Sequence, residues 1–180
     1  MNKLKLWAVM GIMAVCLSAC GMSEGQMVSM YVSQMTVYER RVEADAYDFS
    51  KLWQSLDGSL TEEQRNEIVK LLTVQKGSFE ETLTAVKDYP RCPKACVPLQ
   101  SGYEEAFGLR IKHCELLINF LKNEYKDNAV PSAEAMAKLK EQNAEIVSKS
   151  ASVEENIMKA KKDLAHQYRE VQIPEVSSAS

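Results

Sequence analysis

Three observations in the sequence predict an all-α chain folded as an antiparallel up-down-up-down four-helix bundle. Gly and Pro are scarce, seven and five in 180 residues. No segment alternates apolar and polar residues with the period of two that a half-buried strand requires. Four segments instead repeat apolar residues every three or four positions, the stripe that a helix buries in a bundle.

The chain begins MNKLKLWAVMGIMAVCLSACG. Lys3 and Lys5 form a basic start, residues 6–16 are almost continuously apolar, and Leu17-Ser18-Ala19-Cys20 follows. The run falls short of the roughly 20 apolar residues that a membrane-spanning helix needs. A basic start, a short apolar stretch and small residues before a cut describe a secretory signal. Leu17-Ser18-Ala19-Cys20 resembles the lipobox of bacterial lipoproteins. The resemblance implies cleavage after Ala19, a diacylglyceryl thioether on Cys20 and an amide-linked acyl chain on its new amino group; no other cofactor is expected. Each buried methylene contributes about 0.8 kcal/mol, so these chains would hold the protein permanently at a lipid surface. In that family Asp after the Cys implies inner-membrane retention. Gly21 therefore implies an envelope location at the periplasmic face of the outer membrane, where the host has two membranes. The alternative is a plain secretory peptide that leaves Cys20 an ordinary cysteine.

Removal of residues 1–19 takes Lys3 and Lys5 away, leaving 161 residues with 20 basic and 25 acidic side chains. That length is one domain, large enough to bury a core without metals or several disulfides. The acidic balance argues against nucleic acid, whose phosphates require a basic face. It also supplies no general attraction to an anionic leaflet, so lipid must do the anchoring.

Residues 21–26 (GMSEGQ) read as a polar tether that reaches only about 20 Å when extended. Helix one is expected over 27–56, with Tyr31, Met35, Tyr38, Val42, Phe49, Leu52 and Leu56 on one stripe. Asp45 fills the remaining slot, unless Ala46 turns inward and Asp45 reaches the rim. Asp57-Gly58 supplies the stop. Thr61 and Gln64 then make a capping box, with Glu62 and Glu63 against the positive helix end. Helix two continues through Ile68, Leu72, Phe79, Leu83 and Val86 to about Tyr89. Gly77 inside it should cost about 1 kcal/mol relative to Ala, which close approach of a neighbouring helix would explain.

Tyr89-Pro90 ends that helix and opens a loop over 90–101. Ser101 and Glu104 form a second capping box, opening helix three with Tyr103, Phe107, Ile111, Cys114, Ile118, Leu121 and Tyr125. After a turn over 127–131, Met136, Leu139, Asn143, Ile146, Ser150, Val153, Ile157, Ala160, Leu164, Tyr168 and Val171 keep one rhythm. Ser152 and Glu155 admit a kink near 148–152, but the unbroken phase favours one long helix. The bundle thus covers 27–172, and 173–180 reads as a disordered tail. In this order of elements the start of helix one, the 90–101 loop and the end of helix four share the lipid-side pole.

Export implies an oxidising compartment, so Cys92 and Cys96 are expected to form a local disulfide. Three residues separate them, one more than in the thioredoxin-type motif. Cys114 lies on an apolar stripe and reads as an inert core residue. A soft-metal or thiol-redox site for copper or zinc, built from Met27, Met30, Cys92, Cys96 and His166, is the rival reading, since thioether and thiolate suit Cu(I). Met residues at helical spacing nevertheless usually fill cores. His113 and Cys114 are adjacent on a helix and point about 100° apart, so they do not make a dyad. His166 follows Asp163, not the Glu-x-x-His of di-iron bundles. No phosphate loop, nucleophile elbow or haem-attachment motif occurs in the sequence. Asn143 and Ser150, with Asp45, occupy core slots where polar groups fix register or line a pocket. The sequence therefore favours a non-enzymatic lipoprotein that binds another envelope protein. Tyr47, Trp53 and Phe120, off the main stripes, are its candidate contact residues.

Overall fold

The computed structural model describes residues 21–44, 59–125 and 130–173, with only the backbone for 41–44. The leader and Cys20, Asp45, Tyr47, Trp53, the 57–58 stop and the tail from 174 lie outside the described residues. Those described form four packed helices and no strand: α1 (Glu24–Ala44), α2 (Glu62–Lys87), α3 (Val97–Glu124) and α4 (Ala133–Gln167), with a short 3-10 turn at Lys94–Cys96 before α3.

Capping decides where the helices begin. Ser23 and Gln26 exchange side-chain to backbone hydrogen bonds of 2.9 and 3.2 Å. This is a capping box that shortens the expected tether and starts α1 at Glu24. Thr61 and Gln64 do the same for α2, as expected. Ser132 accepts from Ala135 N and opens α4. The start of α3 differs from expectation. It begins at Val97, with Pro98 in its first turn, so Ser101 and Glu104 lie inside the helix. Proline's fixed φ suits a first turn, where its missing N–H has no helical acceptor to lose. Helix α4 runs its 35 residues as one helix through Ser152.

Packing follows the stripes. One core cluster joins Val28, Tyr31, Val32 and Met35 of α1 to Phe79, Val86, Leu99, Tyr103, Phe107, Cys114, Val153, Ile157 and Leu164. A second joins Leu60, Ile68, Leu72, Leu117, Phe120, Leu121, Tyr125 and Leu139. The helices meet in a regular series of side-chain contacts. Arg65 Nη1 donates to Tyr125 O at 2.5 Å, Lys76 pairs with Glu115 at 2.9 Å, and Gln100 Nε2 donates to Val86 O at 2.9 Å. Arg110 lies 3.6 Å from Glu154 and 6.0 Å from the Phe79 ring centroid. Gln75 occupies the stripe slot between Leu72 and Phe79. It is buried with neither amide atom hydrogen-bonded. An unmatched buried amide costs stability, unlike its apolar neighbours.

The glycines correct one expectation. A Cβ at Gly77 would meet nothing within 4 Å, so no close approach explains it. The close approach is at Gly102, where a Cβ would lie 2.8 Å from Ile157 Cγ1. Gly77→Ala is therefore expected to stabilise the fold by about 0.5–1 kcal/mol through helix propensity. Gly102→Ala should destabilise it, because Ile157 must shift within a packed core. Urea unfolding midpoints of the two variants should move in opposite directions.

Candidate functional site

Three chain segments converge at one end of the molecule. In the sequence the first half of α1, Gly25 to Tyr38, contains no charged residue. Its inward side chains Val28, Tyr31, Val32 and Met35 are fully buried. The segment after α2 turns back at Arg91, whose φ of 66° lies in the left-handed region. Such a conformation in a non-glycine residue reverses the chain at some strain. Tyr89 packs edge-on against Tyr31, ring centroids 5.0 Å apart. Beyond α4, Val171 N donates to Tyr168 O at 3.1 Å and the Val171 side chain is buried. Two long-range bonds tie this end to α1: Ser29 Oγ donates to Glu170 O at 2.8 Å, and Tyr168 Oη donates to Glu24 Oε1 at 3.0 Å.

Two thiols sit within this junction. The expected disulfide between Cys92 and Cys96 is not formed; both are free, as is Cys114. The backbone accounts for the separation. The 3-10 turn, closed by Cys96 N donating to Pro93 O at 2.8 Å, delivers Cys96 into the core. Cys92 instead stays half-buried, its Sγ donating to Pro93 O at 3.5 Å. The Tyr31 hydroxyl is buried beside the Cys92 sulfur. Burial pushes the Cys96 thiol up to about 12, with Cys92 adding to the shift. Burial also raises Cys92, and it raises Tyr31 itself. Burial likewise holds Cys114 up to about 11. Raised in this way, the thiols are weak nucleophiles at neutral pH, because the thiolate is the reactive form.

The folded state thus favours the neutral thiol more than the unfolded chain does. Cys96 contributes stability that is fully present below its ordinary value of 9.0 and is lost as pH rises towards about 12. Urea midpoints should be flat across neutral pH and fall above about pH 9, with a shallower fall in Cys96→Ala.

Of the proposed metal ligands, Met27 and Met30 are half-buried on α1, and His166 is exposed in the last turn of α4. Among the described residues, no three of His, Cys, Asp and Glu are grouped to hold a metal ion. Of the candidate contact residues, Phe120 is a correction. It is only 8% exposed and packs edge-on to Tyr125 at 5.9 Å, because it joins the second core cluster. One edge reaches an open groove of about 310 Å³ between α3 and α4, with Leu116, Ala135 and Leu139. Asn143 and Ser150 are half-buried, and burial lowers the pKa of His113.

A second polar cluster was not anticipated. Lys161 Nζ lies 2.8 Å from Glu39 Oε2, and Tyr103 Oη donates to the same oxygen at 3.3 Å. The ammonium also stands 5.5 Å from the Tyr103 ring centroid, a cation–π contact. The Lys161 side chain is 6% exposed and Glu39 29%. The cluster joins α1, α3 and α4. Its sequence signal is a lysine four residues after Ile157 and three before Leu164, on the buried face.

No protein-family model, curated protein or solved structure matches this chain. Among the described residues, no helix is long and apolar enough to cross a membrane.

Proposed function

We propose that this chain is a lipid-anchored cell-envelope protein, acylated at Cys20, whose up-down-up-down bundle binds another envelope protein as an adaptor or assembly factor and catalyses no reaction. The sequence Leu17-Ser18-Ala19-Cys20 carries the reading, together with the nearness of the folded body. Only Gly21 and Met22 separate Cys20 from the Ser23 cap of α1. Three residues reach about 10 Å, so such an anchor would hold the bundle against its bilayer. Alternation of helix direction is supported by the order of contacts: 65 with 125, 76 with 115 and 86 with 100, then 110 with 154 and 39 with 161. Periplasmic exposure on the outer membrane fits Gly21 after the lipidated position. Thiols whose reactivity burial suppresses favour a structural role for Cys92 and Cys96 over thiol-redox handling.

The aromatic side chains of Tyr47 and Trp53 are the residues proposed to meet the partner. Photo-crosslinkers placed at these two positions in intact cells should trap the same protein neighbour reproducibly. Capture of no protein at either position would contradict the adaptor reading.

A further inference from the structure

We infer that the segment from Tyr89 to Pro98 is a second, non-covalent contact of this protein with phospholipid, seated on an anionic headgroup layer. The inference rests on the lipid anchor proposed at Cys20 and adds to it a surface of the folded body. Tyr89 packs on Tyr31, two turns into α1, and Cys92 lies against the same tyrosine. This segment is therefore held about 12 Å along α1 from the Ser23 cap, at a rise of 1.5 Å per residue. An anchor three residues before that cap would keep it within reach of headgroups throughout the life of the protein.

The chemistry of the segment suits that position. Lys87, Arg91 and Lys94 stand against Asp88 alone between residues 87 and 103, a net +2 within a chain of net −3. Arg91 and Lys94 are exposed, as is Pro98, and Val97 is 49% exposed at the start of α3. Exposed cations beside an exposed apolar side chain match a headgroup boundary, with phosphates outside and glycerol and acyl carbons beneath. Acids stand close by as well: Glu24 accepts from Tyr168, a Cβ at Gly25 would meet the Glu170 carboxylate, and Glu104, followed by Glu105, acts on Cys92, so the contact depends on Arg91 and Lys94 themselves and not on a net basic face. The strained φ at Arg91 fixes the turn that presents both cations.

Val97→Trp in a Trp53→Phe background, purified as the processed full chain and reconstituted into phosphatidylcholine vesicles with or without phosphatidylglycerol, tests this. Lipids brominated near the headgroup should cut its fluorescence about twofold, given the shallow depth of an interfacial side chain. The matched Val147→Trp chain should be unaffected, because Val147 lies about 30 Å up α4 from Gln167. Each cation near an anionic leaflet strengthens contact about fivefold. Adding Arg91→Gln and Lys94→Gln should therefore abolish the extra quenching that phosphatidylglycerol brings. A chain that floats with vesicles but shows no quenching at position 97 overturns the seating and leaves the anchor standing. A chain that does not float, with Cys20 unmodified by mass, overturns both. Protection of position 97 in cells by a protein crosslink, without quenching by lipid, also overturns the seating.

Discussion

Glu39→Ala is expected to destabilise the folded bundle by about 2–3 kcal/mol, and Lys161→Met by less than about 1 kcal/mol. The asymmetry comes from where each charge is left. Without Glu39 the Lys161 ammonium keeps a side chain only 6% exposed and loses its carboxylate, so its desolvation is uncompensated. Without Lys161, Glu39 still accepts from Tyr103 and reaches water through its 29% exposed side chain. Exposure of the carboxylate screens the pair, which places the Glu39→Ala cost below that of a fully buried bridge. Glu39→Ala with Lys161→Met together should recover much of the loss, and the double-mutant cycle should show coupling above about 1 kcal/mol. Urea unfolding of the four chains measures it. Equal losses in the two single variants would show that the cluster is not held as described. The effect bears on function, because Glu39 belongs to α1, the helix through which an anchored body would hang.

Cys20→Ser should release every molecule that has lost residues 1–19 from the membrane fraction, leaving there only precursor held by its uncut apolar leader. Two or three acyl chains bury many methylenes at about 0.8 kcal/mol each, far beyond the affinity of a basic segment alone. The variant is expected as a soluble species or as a precursor retaining residues 1–19, distinguishable on a denaturing gel by its slower migration. Membrane association unchanged in Cys20→Ser that has lost residues 1–19 would remove the covalent anchor from the account and leave the 89–98 segment without the restraint that brings it to lipid.

Much of the fold was legible because burial imposes a period. Tyr31, Met35, Ile68, Leu72, Phe79, Tyr103, Phe107, Leu139, Val153, Ile157 and Leu164 are all core residues, as their three-and-four spacing predicts. The Ser23–Gln26 cap carries the same S-x-x-Q signature as other capping boxes and was readable, but the polar run around it read as a tether. At α3 two signals competed. Ser101 and Glu104 fit a capping box, yet Pro98 in a first turn outweighed them, since Ser101 has no free helical N–H to satisfy once the helix starts at Val97.

The candidate site was less legible, for reasons of tertiary geometry. Gly77 and Gly102 look alike in sequence, and only the position of Ile157 separates a tolerated glycine from a required one. A lysine on a buried stripe signals an unusual partner, but nothing in the chain names Glu39, 122 residues away. Cys92 and Cys96 have spacing compatible with a bridge, whereas the 3-10 turn between them assigns one sulfur to the core and the other to its own neighbour's carbonyl. Gln75 sits where a leucine fits the pattern, and its buried amide has no rationale in the helical repeat.

The most direct measurement is intact mass and amino-terminal fragmentation of the mature protein recovered from its native envelope. A first residue at Cys20 bearing a thioether-linked diacylglycerol and an amide-linked acyl chain is the predicted result. A mature chain that begins elsewhere, or one that begins at Cys20 with a bare thiol and a free amine, would contradict it.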